Sequence, residues 1–460
     1  MEDTIAAIST PFGEGGIGIV RMSGSLTEKI LDEVFVAKNQ QRWKDRQSHR
    51  LYLGHLQNKK KKIDQVLAVI MRGPHSYTGE DVGEIHCHGG MLVVNLALEA
   101  VLAAGARLAE PGEFTRRAFL NERLDLAQSE AIIDIIRSQS RVGLELAVEQ
   151  LEGGLSQVIE FCQKQLLKLL VYFEASIDFP EDEIDFIPDH EVRAIIDQVE
   201  NKIKELLDGF SQGKIMREGI KTVILGKPNV GKSSLLNALL REERAIVTEH
   251  PGTTRDIIEE MVNLNGIPLR IIDTAGIRPT EDVVEQMGIE KTKEILKKAD
   301  LALLVLDAGE RLTVHDEMVY QMVQEQNIPS LVLINKIDLD EPRLSREEAR
   351  VLFGEMDFLE ISALKRQGLE DLAEKIKEMV GLGELDLRPR PLLTRLRHAQ
   401  SLEKALEHLQ AARAGLDAGL PVDFLSIDLR EAWESLGCIN GTSIGEEVLD
   451  AIFSEFCIGK

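Results

Sequence analysis

Residues 226–233, GKPNVGKS, set two glycines, a lysine and a serine at the spacing G-x-x-x-x-G-K-S. That spacing is chemistry for phosphate. Gly226 and Gly231 let the backbone turn its N–H groups inward, Lys232 carries a cation long enough to reach β- and γ-phosphates, and the Ser233 hydroxyl suits Mg²⁺. Three more clusters follow in order. PGTTR (251–255) offers Thr254 as a second hydroxyl for Mg²⁺, and DTAG (273–276) places Asp273 near the Mg²⁺ shell and Gly276 at the γ-phosphate. NKID (335–338) ends in Asp338, whose carboxylate accepts from guanine N1–H and the 2-amino group together. Adenine lacks that donor pair, and a polar mismatch of this kind is expensive.

The GTP site expected from these clusters has four parts. Asn229, Val230, Gly231, Lys232, Ser233 and Ser234 wrap the phosphates. Thr248, Glu249, His250, Pro251, Gly252, Thr253 and Thr254 form a first switch loop, and Asp273, Thr274, Ala275 and Gly276 a second. Asn335, Lys336 and Asp338 read the base, backed by Ser362, Ala363 and Leu364. The residue after the DTAG glycine is Ile277, where many GTPases carry a glutamine that orients water. Isoleucine cannot do so, and the acceleration must come from elsewhere. Glu285 is a candidate for polarising water; by spacing alone it reads first as a solvated residue at a helix start. Arg255 and Arg278 are candidate arginine fingers whose plain reading is surface arginine.

These residues need a strand–loop–helix scaffold. KTVILG, LALLVLD, SLVLINK and FLEIS read as buried parallel strands, and EEMVNLNGIPLRIID as a hairpin turning at Asn265-Gly266. The expected sheet is parallel with one antiparallel edge strand, over residues 213–382. Residues 121–212 and 383–460 have helical periodicity, which predicts an α/β domain inserted into a helical one. Residues 1–120 are mixed: IGIVRM, DQVLAVIM and the alternating GEIHCH read as strands, and 91–105 as a helix. The fold class is therefore multidomain, with an α+β N-terminal domain, an all-α helical domain in two parts, and an inserted α/β P-loop (Ras-like) domain.

At 460 residues the chain has room for roughly three domains. With 54 Lys+Arg against 78 Asp+Glu the net charge is -24, which excludes a general phosphate-binding surface for nucleic acid. Four scattered cysteines argue against a disulfide framework and suit a reducing compartment. No signal peptide or membrane span is read from the sequence, so the expected location is the cytoplasm. Nine Lys/Arg lie between Lys38 and Lys62 against the single acid Asp45, ending in KKKK at 59–62. The run reads first as an exposed hairpin tip, with a patch facing nucleic acid as the alternative. His86 and His88 share a strand face without further metal ligands in view, so a hydrogen-bonding role is expected. IDFPEDEIDF (177–186) reads as a solvated connector.

Motifs outside the α/β segment carry a resemblance. GEGGIGIVRMSG (13–24), GPHSYTGEDVGEIHCHGG (73–90), PGEFTRRAFLNERLDLAQSEA (111–131), IDFPEDEIDF and IFSEFCIGK (452–460) resemble the tRNA-modification GTPase family called MnmE or TrmE, over essentially the whole chain. The resemblance implies a folate-binding and dimerisation domain at 1–120, and a homodimer. It implies a flavoprotein partner, MnmG, which carries FAD. With it, a carboxymethylaminomethyl or aminomethyl group is installed at C5 of the wobble uridine of certain tRNAs, from 5-formyl- or 5,10-methylene-tetrahydrofolate, with tRNA held mainly through the partner. It implies Mg²⁺ at Ser233 and Thr254, and potassium at Asn229, Thr248, His250 and Thr253. Glu285 falls on the family's catalytic glutamate. Folate contacts carry over to Arg21, Glu84, Arg123 and Lys460; Arg123 stands where the family usually has lysine. The competing readings are an assembly GTPase acting on ribosomes and a folate-binding module with a regulatory switch.

Overall fold

The computed structural model describes residues 3–37, 41–138, 140–178, 187–240, 260–272, 292–354, 356–382 and 392–460. The chain forms two compact units: Met1–Ile133, Gln150–Glu200 and Ser401–Lys460 in one, Asp134–Glu149 and Asn201–Gln400 in the other.

In the first unit period-two alternation drives a seven-stranded sheet. Its strands are β1 (Ile5–Ile8), β2 (Gly15–Ser23), β3 (Phe35–Ala37), β4 (Tyr52–Asn58), β5 (Lys61–Met71), β6 (Val82–Gly89) and β7 (Arg107–Leu108), in the order β3-β4-β5-β6-β2-β1-β7. Only β1 and β7 pair in parallel. Along β6, Ile85 and Cys87 point into the core, while Glu84, His86 and His88 are turned to the opposite face. The helices Thr27–Val34 and Met91–Ala103 cover the inner face with Ile30, Leu31, Val94 and Val101. The strands and the helix expected in this region are present. The KKKK run is an exposed hairpin tip, with Lys59 and Lys60 at φ +47° and +69° between β4 and β5.

The helical part of this unit pairs Gly154–Asp178 with Val422–Asn440, tied by Asn440 Nδ2 donating to Gln163 Oε1 at 2.9 Å. The last helix, Glu446–Ser454, lies on Glu113–Leu120, with the rings of Phe119 and Phe453 6.2 Å apart. That contact brings the chain's end back to its first strands.

The second unit contains β8 (Ile220–Leu225), β9 (Glu260–Leu264), β10 (Ile267–Ile271), β11 (Leu301–Asp307), β12 (Ser330–Asn335) and β13 (Asp357–Ile361), in the order β13-β12-β11-β8-β10-β9. All neighbours are parallel except the β9–β10 hairpin, whose turn at Asn265-Gly266 has both φ values positive. β11 is buried at all seven positions, as a strand covered on both faces must be. One face packs on Leu235, Leu239, Leu372 and Ile376, the other on Leu296, Val323, Phe353 and Phe358. This is the parallel sheet with one antiparallel edge strand that the sequence predicts. Among the described residues no helix is long and apolar enough to cross a membrane.

Candidate functional site

In open parallel sheets ligands sit beyond the carboxyl ends of the strands. Here β8 ends at Leu225, the loop 226–231 follows, and the helix Lys232–Leu240 begins. Lys232 Nζ donates to the carbonyls of Gly226 and Lys227 at 2.6 and 2.7 Å, so the ammonium lies within the loop, and burial lowers its pKa. Gly231 takes φ +100°, and a Cβ there would lie 2.2 Å from Asn335 Nδ2. Two demands, a left-handed backbone and a close approach, fix glycine at this position.

Asn335 explains the close approach. Its Nδ2 donates to Val230 O at 2.9 Å, and its Oδ1 accepts from Ala363 N at 3.0 Å. One buried amide thus joins the phosphate loop, the end of β12 and the loop after β13. Lys336, itself at φ +68°, donates to Asn229 O at 2.8 Å and to Asp307 Oδ2 at 2.6 Å. Asp338 accepts from Ser362 Oγ at 2.6 Å; that bond first, then the charges of Lys365 and Lys336, holds its carboxyl below the usual range. The carboxylate is therefore ionised and oriented, as guanine recognition requires. Ser234 and Leu364 are exposed. Residues 248–254, 273–276 and Glu285 lie outside the described residues.

Three acids absent from the sequence reading support this site. Asp307 closes β11 and pairs with Lys336; Glu310 and Asp316 hold Lys227 at 2.8 and 3.7 Å. The available signal was an aspartate at the carboxyl end of a wholly apolar strand, where the fold places its ligands.

A second cluster lies on the first unit's sheet. Arg21 on β2 and Glu84 on β6 are register partners, and Arg21 Nε donates to Glu84 Oε1 at 2.9 Å. His86 Nε2 lies 3.0 Å from Glu84 Oε2. The His86 bond, opposed by burial and reinforced by Arg21, holds the Glu84 carboxyl below its ordinary value. The Arg21 guanidinium also lies over the rings of Tyr77 and Phe114, at 5.5 and 5.9 Å. Lys460 comes within the field of this pair: burial, then repulsion from Arg21, lowers its pKa, while Glu84 opposes the shift. The tail is docked, with Gly459 at φ +97° against the Ile8 carbonyl and its own carbonyl accepting from Ser9 Oγ at 3.2 Å. Arg123 is exposed and stands apart from the Arg21–Glu84 bond, its stem beside Gly79. A cavity of about 270 Å³ adjoins the docked tail through Ile8 and is walled by Thr10, Phe12, Ile17, Met91 and Val94, without Arg21, Glu84 or Lys460. His88 pairs with Asp64 at 2.8 Å, so both strand histidines hydrogen-bond to carboxylates. Cys457 is exposed, whereas Cys87 and Cys162 are buried.

A phosphate loop after β8 and an oriented carboxylate after β12, in a parallel sheet of this order, define a P-loop GTPase domain. Residues 4–123 match the family described as GTP-binding protein TrmE N-terminus, and residues 126–457 match the MnmE helical domain. The tRNA modification GTPase MnmE of Heliobacterium modesticaldum is 51% identical over 100% of this chain and 99% of its own length. Those of Alkaliphilus metalliredigens and Geobacillus kaustophilus are each 47% identical over 100% of this chain, and over 100% and 99% of their own. The chain belongs to the MnmE (TrmE) family of tRNA modification GTPases and is a GTP hydrolase.

Proposed function

We propose that this GTPase is activated by potassium and works with the flavoprotein MnmG. Together they install a carboxymethylaminomethyl or aminomethyl group at C5 of the wobble uridine of certain tRNAs, from a tetrahydrofolate one-carbon unit. The observation that carries the reading is the gathering of Lys460, the last residue of the sequence, with Arg21 and Glu84, in a chain that also holds the guanine-reading Asp338. An assembly GTPase has no use for the first cluster, and a folate module without an enzyme has none for the second.

Each residue has a chemical task in this reading. Glu84, kept ionised, accepts from the 2-amino/N3–H edge of a pterin, and Arg21, Arg123 and Lys460 meet the anionic glutamyl tail. The folate fits this set because the Glu84 carboxylate stands with the Arg21 and Lys460 cations, and when bound it supplies the one-carbon unit. In the GTP site Asp338 selects guanine, Lys232 neutralises phosphate, and Ser233 and Thr254 hold Mg²⁺. Glu285 polarises the attacking water. Asn229 is exposed at φ +66°, with its carbonyl committed to Lys336, and its side-chain amide presents an oxygen suited to an alkali cation. With Thr248, His250 and Thr253 it forms the potassium site, which supplies the positive charge that arginine fingers bring elsewhere, worth about 10³–10⁵ in rate. In this scheme 1–120 binds folate and dimerises, 213–382 is the GTPase domain, and 121–212 with 383–460 is the helical domain.

Three measurements test the reading. GTP turnover should rise in potassium over sodium, and equal rates would discard the cation's role. Calorimetric binding of 5-formyl-tetrahydrofolate should be lost in Glu84→Gln; retained binding would discard the folate assignment. Loss of the modified wobble uridine in a deletion strain checks the product.

A further inference from the structure

The guanine loop and the phosphate loop are far apart in sequence, yet Lys336, like Asn335 beside it, spans them. Lys336 Nζ reaches Asn229 O at 2.8 Å and Asp307 Oδ2 at 2.6 Å. Asp307 is 6% exposed, so its charge has to be paired, and Lys336 is the partner. Its other oxygen is committed as well: Oδ1 accepts from Gly309 N at 2.8 Å, which fixes the rotamer from behind. A carboxylate held by its own loop thus aims an ammonium at a carbonyl of the phosphate loop.

The conformations of the residues involved fit a strut under load. Asn229 and Lys336 both take left-handed backbone angles, φ +66° and +68°, which asparagine accepts readily and lysine uncommonly. The Asp307–Lys336–Asn229 chain joins the two. The segment that follows β11 grips the phosphate loop a second time, through Lys227 with Glu310 at 2.8 Å and Asp316 at 3.7 Å.

We propose that Asp307 is a positioning residue of the nucleotide site, holding Lys336 against the Asn229 carbonyl so that base recognition and phosphate-loop geometry are set together. The proposal rests on reading 226–233 and 335–338 as the GTP site. Asp307 touches no nucleotide in this scheme and acts only through Lys336.

The test uses the full chain, with fluorescent GDP binding, steady-state GTP hydrolysis and thermal melting without nucleotide. Asp307→Ala should raise Kd for GDP and KM for GTP about 10- to 100-fold, the scale on which partners that orient a direct ligand act. kcat at saturating GTP should stay within about twofold, because the chemistry is untouched. Combining it with Lys336→Met should weaken binding no further than Lys336→Met alone, since both cut one strut. Should Asp307→Ala fail to fold, Asp307→Asn, which keeps an acceptor for Gly309, serves in its place with an expected loss of about 3- to 10-fold. A lower melting temperature with unchanged Kd, or losses that add to those of Lys336→Met, would overturn the proposal. Asp338→Asn separates the two levels: it should move preference from guanine to xanthine nucleotides. If it does not, the site reading fails; if it does while Asp307→Ala binds normally, only the positioning role fails.

Discussion

The Ser362 hydroxyl donates to Asp338 Oδ1 at 2.6 Å across two loops that follow different strands. The hydroxyl also accepts from Lys365 N at 3.0 Å, so its own direction is fixed. Asp338 is thus aimed before any base arrives. Ser362→Ala should raise KM for GTP about threefold to tenfold and leave kcat at saturation nearly unchanged. Steady-state kinetics over a GTP titration check it, and a fall in kcat with constant KM would contradict the orienting role.

Gly231 meets two constraints at once. A methyl there would lie 2.2 Å from the amide nitrogen that bonds Val230 O, at a backbone angle of φ +100°. Gly231→Ala should destabilise the GTPase unit by roughly 1–3 kcal/mol, from backbone strain alone, and should also break the Asn335 link. The check is a melting curve together with GDP affinity. A variant with native affinity would show that Asn335 is dispensable to the loop.

Much of this was legible in residue spacing, for a physical reason. Parallel strands covered on both faces must read as apolar runs, and phosphate loops need glycine where the backbone turns, so β8, β11 and β12 and the site at their ends announce themselves. Asp307 did not, because its partner lies in another strand's loop and a carboxylate's pairing leaves no periodic trace. The Arg21–Glu84 pair depends on β2–β6 register, and the docking of Lys460 on the fold of a helix against residues 113–120. From the residues alone each is an ordinary surface charge; the resemblance, and then the sheet, brought them together.

The Glu84 carboxyl is held down from two sides, by His86 and by Arg21. The His86 hydrogen bond is the first cause of the lowered Glu84 pKa, with burial opposing and Arg21 adding to the effect. The sign follows: a carboxylate depressed in the folded state contributes stability that is present above its ordinary value of 4.5 and lost as pH falls through the lower folded value. Folate affinity should stay level down to that ordinary value and fall only below it. His86→Ala should move the acid limb to higher pH. Calorimetric titration with 5-formyl-tetrahydrofolate across the acid range measures both limbs; superimposable limbs would remove His86 from the site.

The tail carrying Lys460 should dock more firmly as pH rises. Burial and the nearby Arg21 charge depress this ammonium below its ordinary 10.5, so between the two values the docked tail binds fewer protons than the free one. Linkage then makes docking strengthen with pH, levelling off near 10.5. An anionic ligand at the Arg21–Lys460 cations reverses the cause of the shift and should fix the tail at neutral pH. A dye on the exposed Cys457, in a Cys438→Ser background, reports tail mobility by anisotropy. Anisotropy should climb as pH rises toward 10.5 in the wild type, start high and stay flat in Lys460→Gln, and rise at neutral pH when 5-formyl-tetrahydrofolate is added. A wild-type tail indifferent to both pH and folate would mean that the Lys460 charge plays no part in holding it, and that the four residues after Phe456 are anchored through Gly459 on Ile8 and Ser9.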